Sequence, residues 1–235
     1  MLSLRKHKIS RLEEFSDAVF GFALTLLVIT TNVPRDYDAL IRLLQGIPAF
    51  ACCFALLVWI WHEHDAFFER YPLQDGITVL LNSALLFVVV LYIYPLKFMF
   101  DAFIFQVFGL TSEPTLRSMT FEQLARASAI YGFGFFVLMG LFALMYLHAY
   151  RRRAALELDP AAAFDARAIM GHHVVSASVG LFATLFALLG PRELAFLSPS
   201  SFALMGPGHW GYAVWVERRR KASFARPSPA ATQAT

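Results

Sequence analysis

Residues 11–28 read Arg11-Leu12-Glu13-Glu14-Phe15-Ser16-Asp17-Ala18-Val19-Phe20-Gly21-Phe22-Ala23-Leu24-Thr25-Leu26-Leu27-Val28, a polar cluster that opens an apolar run continuing to Val33. Only Gly21, Thr25 and the closing Thr30-Thr31-Asn32 interrupt that run. A carboxylate turned toward the bilayer centre costs roughly 2.5–3.5 kcal/mol on the insertion scale, so such a residue usually faces a bundle interior or a water path and has a partner. Asp17 is therefore the first candidate for a functional role.

The rest of the chain has the same character. Of its 235 residues, 58% are hydrophobic and only 16% charged, and the apolar residues form continuous blocks as long as a bilayer is thick. Continuous blocks of about twenty residues exclude a barrel, whose strands alternate over about ten. The expectation is an all-α polytopic membrane protein with no soluble domain. The modest net charge of +3 comes from bases at the block boundaries, which excludes a nucleic-acid partner. Cys52 and Cys53 are adjacent in an apolar helix, where neighbouring side chains diverge, so they read as small apolar filler. The first apolar run is too long for a signal peptide and lacks a cleavage site, so it is expected to remain as a helix.

Six spans are predicted, at 12–33, 40–62, 76–98, 123–148, 166–190 and 194–216, making residues 1–221 one six-helix transmembrane subunit. The sixth carries Pro199 and Pro207 among serines and glycines, which predicts a kink or a partial crossing anchored by Trp210, Tyr212 and Trp215. Arg5, Lys6, Lys8 and Arg11, then Arg151–Arg153 and Arg167, then Arg218–Lys221 and Arg226 fall on one side of an even number of spans. The positive-inside rule then puts both termini in the cytoplasm, with the protein in the cell inner (plasma) membrane. Residues 100–123 are expected to be an external loop whose Phe103–Phe108 part lies at the interface, and residues 222–235 a disordered tail.

Three spans carry side chains that hydrocarbon rejects: Ser16 and Asp17 in the first, Trp59-Ile60-Trp61-His62-Glu63-His64-Asp65 at the end of the second, and Asn82 in the third. With alternating directions all of them lie near one membrane face. They read either as a buried polar knot that fixes helix packing or as groups with direct chemistry. At about 100° per residue, Phe22, Thr25, Leu26 and Ile29 share one stripe of the first helix, and Asp17 points away from it. By residue type alone such a stripe faces lipid or core.

Arg11-x-x-x-Phe15-Ser16-Asp17 followed by the run to Val28 resembles the motif of the endosomal and lysosomal potassium channels and their bacterial homologues. Trp59-x-x-His62, Leu81-Asn82 and Pro95 continue the resemblance, which is strongest over residues 11–97. It implies a subunit of six helices that assembles as a homotetramer, with the first helix of each copy lining the pore. The motif residues Arg11, Phe15, Ser16 and Asp17 would hold that helix on the second and third, with Trp59, His62 and Asn82 as polar partners. Phe22, Thr25 and Ile29 then correspond to the pore-facing positions, with Leu26 beside them, so the resemblance turns the stripe toward the pore. Two departures stand out: Phe22 occupies a constriction where the family usually has Ile or Leu, and Thr30 lies where an acid is often found.

The implied activity is that of a leak-type, potassium-selective cation channel. It needs no enzyme chemistry, no resident cofactor and no metal; its partners are its own copies, the bilayer and the permeant potassium ion. A metal centre from His62, Glu63, His64, Asp65, His172 and His173 has the wrong spacing, since a helical zinc pair needs His at i and i+4. A proton-coupled transporter using buried His and Asp remains the alternative, without the internal repeat such folds usually show. Ser128/Gly132 and Ser176/Gly180 are spaced for close helix contact, either between subunits or within one.

Overall fold

The computed structural model describes residues 10–31, 33–191 and 194–224, which contain helices and no strand. The helices are α1 (Arg11–Ile29), α2 (Tyr37–Gln45), α3 (Ile47–Arg70), α4 (Gly76–Phe108), α5 (Phe121–Arg151), α6 (Pro160–Leu189) and α7 (Met205–Phe224). Two 3-10 segments, Pro114–Ser118 and Ala195–Leu204, connect them. Arg5, Lys6, Lys8 and Arg226, used in the charge argument, and the tail 225–235 lie outside the described residues. Four helices, α3 to α6, are long and apolar enough to cross a membrane, so the chain is a multi-pass membrane protein.

Each helix start has a local cause. Ser10 and Glu13 form a reciprocal capping box on α1, Thr120 and Gln123 do the same on α5, and Asp36, Asp75 and Asp159 cap α2, α4 and α6. The predicted second span, 40–62, is corrected: residues 37–45 form a separate short helix that buries nothing, and the long helix runs from 47 to 70. Gly46 ends the first, and Pro48, in the first turn of the next, lacks the N–H that would continue a single helix through the joint. The third span is also longer than predicted. It passes through Pro95 to Phe108, taking the supposed interfacial segment into α4, and stops where Gly109 adopts φ +69°. Residues 222–224 are helical rather than part of a disordered tail.

The centre of the bundle is an α5–α6 pair running antiparallel. Ser128, Gly132, Ser176 and Gly180 are all buried in it. A Cβ on Gly132 would lie 2.9 Å from the Gly180 carbonyl oxygen and 2.7 Å from Thr184 Oγ1, so the two backbones meet directly. The small-residue faces therefore serve packing within one subunit. α4 lies on α5, where the Tyr92 hydroxyl donates to the Tyr131 carbonyl at 2.9 Å and Gly134 leaves room for the Tyr92 ring. α3 and α1 pack on α4, and α7 on α6. Gly132→Leu or Gly180→Leu should separate the pair and destabilise the subunit by about 1–3 kcal/mol, the usual cost of over-packing; thermal unfolding in detergent measures it, and an unchanged midpoint would contradict the contact.

Candidate ion pathway

One face of α1 is tied down by a directed chain of hydrogen bonds. Ser16, Phe20, Ala23 and Leu27, spaced four, three and four residues apart, are its buried stripe. Ser16 Oγ donates to the Leu12 carbonyl at 2.8 Å, leaving its lone pairs for Asn82, whose Nδ2 donates to Ser16 Oγ at 2.9 Å. That orients the Asn82 amide, so its Oδ1 accepts from His64 Nε2 at 2.7 Å and the proton of His64 sits on Nε2. Ser16, Asn82 and His64 are each at most 2% exposed. The chain joins α1, α4 and α3, and every polar atom in it that faces the core has a partner. One residue on, Asp17 Oδ1 accepts from the Trp61 indole Nε1 at 2.8 Å at the edge of the α1–α3 contact.

Two sequence assignments are corrected here. Asp17 is bonded to Trp61, not Trp59, and the histidine in the knot is His64, not His62. Cys53, Leu57, Ile60, His64 and Phe67 form the buried stripe of α3 at helical spacing, which includes His64 and excludes His62. Trp59 and His62 instead line a cavity of about 380 Å³ with Glu63, His172, His173 and His209. There His172 Nδ1 lies 2.9 Å from His209 Nδ1, and His209 Nε2 2.9 Å from Ser176 Oγ, linking α6 to α7. His173 stacks between Phe142 and Tyr146. Among the described residues no three His, Cys, Asp or Glu side chains are grouped to hold a metal ion.

The other face of α1 is open. Phe22 is 56% and Ile29 68% exposed, and Thr25 between them is exposed as well. Leu26 is half-buried and packs toward the core, so it belongs to the edge of the stripe. Arg11 and Phe15 are also exposed, leaving Ser16 and Asp17 as the motif residues that hold the helix within the subunit. Thr25 Oγ1 donates to the Gly21 carbonyl at 3.0 Å. With its proton committed to the backbone, the hydroxyl keeps its lone pairs as acceptors on the exposed side of the helix.

At the far end of α1 the sequence reading missed a buried ion pair. Lys97 Nζ lies 3.1 Å from Asp101 Oδ2 one turn along α4 and 3.7 Å from Glu113, with the Lys97 and Asp101 side chains 9% and 1% exposed. Ser112 donates to the same carboxylate, and a Cβ on Gly46 would lie 2.7 Å from the Ser112 Cβ. The loop after α4 is thus clamped against the α2–α3 joint. A cavity of about 490 Å³, lined by Val28, Thr30, Arg42, Phe50 and Lys97 among others, opens where α1 ends.

Residues 11–92 match the sequence profile of the family described as "Endosomal/lysosomal potassium channel TMEM175". A protein of Marivirga tractuosa named "Potassium channel" is 36% identical over 195 residues, covering 80% of this chain and 78% of its own length. The chain belongs to the TMEM175 potassium channel family. A crystal structure of a variant of the potassium channel MtTMEM175, bound to a Nanobody-MBP fusion, superposes with a TM-score of 0.79 at 32% identity, covering 91% of this chain and 96% of that one. The fold is also similar to a lysosomal potassium-selective channel TMEM175 homolog from Chamaesiphon minutus, with a TM-score of 0.56 at 21% identity over 86% of this chain and 96% of that chain. The family is one of ion channels rather than enzymes.

In this TMEM175 chain, Asn82→Ala should strand both the His64 N–H and a Ser16 lone pair. The expected loss is about 1–3 kcal/mol, the cost of leaving a buried polar group unpaired. Thermal unfolding in detergent reads it, and a variant as stable as the parent would show that the Ser16–Asn82–His64 chain does not hold α1.

Proposed function

We propose that four copies of this chain assemble into a leak-type potassium-selective channel in which the first helices stand around a common axis, with Phe22, Thr25 and Ile29 facing it. The observation that carries this reading is the division of α1 into a tied face and an open face. Ser16, Phe20, Ala23 and Leu27 are buried on α3 and α4, while Phe22, Thr25 and Ile29 are exposed in the single subunit. Family membership supports the same assignment. The six-span topology with both termini cytoplasmic, in the inner membrane, is supported by Arg151–Arg153 and Arg218–Lys221 lying at one end of the bundle.

Along α1 the three positions are three and four residues apart, or about 4.5 and 6 Å at helical rise. Rings of Phe22 and Ile29 then bracket a ring of Thr25 hydroxyls. An apolar constriction opposes ion passage by shedding water, because a cation there loses hydration without gaining ligands. Potassium gives up hydration more readily than sodium, so such a barrier favours it. The sequence contains no Thr-Val-Gly-Tyr-Gly filter, so carbonyl cages play no part. The free lone pairs of each Thr25 hydroxyl replace part of the lost water between the two apolar rings.

Purified protein in potassium-loaded vesicles should release potassium faster than an equivalent preparation releases sodium; equal rates would overturn the selectivity. Phe22→Ala should raise potassium flux several-fold by widening the narrowest ring, and unchanged flux would remove Phe22 from the constriction. Thr25→Val keeps the shape but deletes the oxygen. It should lower the potassium-to-sodium flux ratio, and an unaltered ratio would assign selectivity to the apolar rings alone.

A further inference from the structure

Where the first turns of α6 meet the last turns of α7, a cavity of about 470 Å³ opens at the bundle end that carries the basic runs. Its cations are Arg167 from α6 and Arg219 from α7, and its polar walls include Tyr212, Trp215 and Ser223. Phe164, Met170 and Val216 supply the apolar remainder. The pocket is built in from the helix contact: the Tyr212 hydroxyl rests directly on Gly171, where a Cβ would collide with it, and the Trp215 ring stacks on Tyr212 with centroids 5.6 Å apart.

The charge in this pocket is uncompensated. Arg219 lies over the Trp215 ring at 5.3 Å, and Arg167 over the Tyr150 ring at 5.3 Å, a ring that Arg153 also approaches at 4.7 Å. A ring face attracts a cation without neutralising it. Neighbouring bases are paired: Arg220 reaches Asp165 at 3.7 Å, Lys221 reaches Glu217 at 3.2 Å and Arg152 reaches Asp75 at 3.7 Å. Among the described residues, neither Arg167 nor Arg219 has a carboxylate within 4.0 Å. Two unpaired guanidinium groups, each fixed by an aromatic ring, beside an apolar wall and a Trp–Tyr pair of the kind found at headgroup depth, match a phosphodiester with acyl chains attached.

We propose that this α6–α7 pocket binds the headgroup of an anionic phospholipid, with Arg167 and Arg219 holding the phosphate and Phe164, Met170 and Val216 lying along the start of an acyl chain. Bound there, the lipid adds a bridge between α7 and α6 beside the Arg220–Asp165 ion pair and the aromatic contacts that already join them. The site stands apart from the α1 face and does not depend on how the pore is assembled.

The test is a titration of purified protein in mild detergent with short-chain phosphatidylglycerol, phosphatidylcholine or inorganic phosphate, following the thermal unfolding midpoint. Phosphatidylglycerol should raise the midpoint and the other two should not. Arg167→Gln with Arg219→Gln should weaken that response roughly 30-fold, from about 5-fold for each arginine near an anionic lipid surface. Arg151→Gln with Arg218→Gln, outside the pocket, should keep it. An equal response to phosphatidylcholine, an equal response to free phosphate, or an equal loss in both double variants would overturn the proposal. Should the pocket double variant fail to fold, the two single variants carry the same comparison, and full responses from both would overturn it too.

Discussion

Everything on the α1 side of this subunit depends on one constraint: a polar side chain buried among membrane helices must have a partner, and Ser16, Asn82 and His64 satisfy one another in a single direction. His64 donates to Asn82, Asn82 to Ser16, and Ser16 to the Leu12 carbonyl of its own helix. No member can rotate without stranding another, so the chain sets the angle of α1 about its axis as well as its position. Apolar packing of Phe20, Ala23 and Leu27 contributes area but tolerates small rotations; donors and acceptors do not. The open face carrying Phe22, Thr25 and Ile29 is aimed by bonds made on the opposite side of the helix.

The remainder of the bundle is a platform for that arrangement. α5 and α6 approach through glycine at Gly132 and Gly180, so their backbones lie close there, and α4 rests on this pair through Tyr92. Charged groups are handled locally. Lys97 and Asp101 neutralise each other inside α4 and recruit Ser112, which secures the loop beside the far end of α1. Asp75, capping α4 at the opposite end, accepts from His148 at 2.8 Å and holds α5 there. α4 is thus fastened at both ends and along its length, which makes it the rigid element against which α1 is indexed.

Particular residues show how far the chain could be read without coordinates. The acid at the mouth of the first helix and the asparagine within the third are legible because hydrocarbon penalises them wherever they lie. The Thr25 stripe is legible because helical spacing is fixed. The division of residues 40–62 between a short amphipathic helix and a long one is signalled by Gly46 and Pro48 but overridden by hydropathy, which averages across a short joint. The extension of α4 from residue 98 to Phe108 was hidden because Lys97 and Asp101 are charges of the kind that close a span, although here they lie inside the helix. The Lys97–Asp101 pair had the i,i+4 spacing of a helical ion pair, concealed by the assumption that the span had ended.

Composition and spacing suffice to establish an α-helical membrane chain, the family motif, and which side of the first helix holds the serine, because hydropathy and the 3.6-residue period are properties of local sequence. They do not choose between Trp59 and Trp61 or between His62 and His64. Each pair differs by two residues, which on a helix turns the side chain to nearly the opposite side, and only the packing of α3 between α1 and α4 selects which member faces inward. Pairing across helices is a long-range property that no local stretch of sequence encodes by itself.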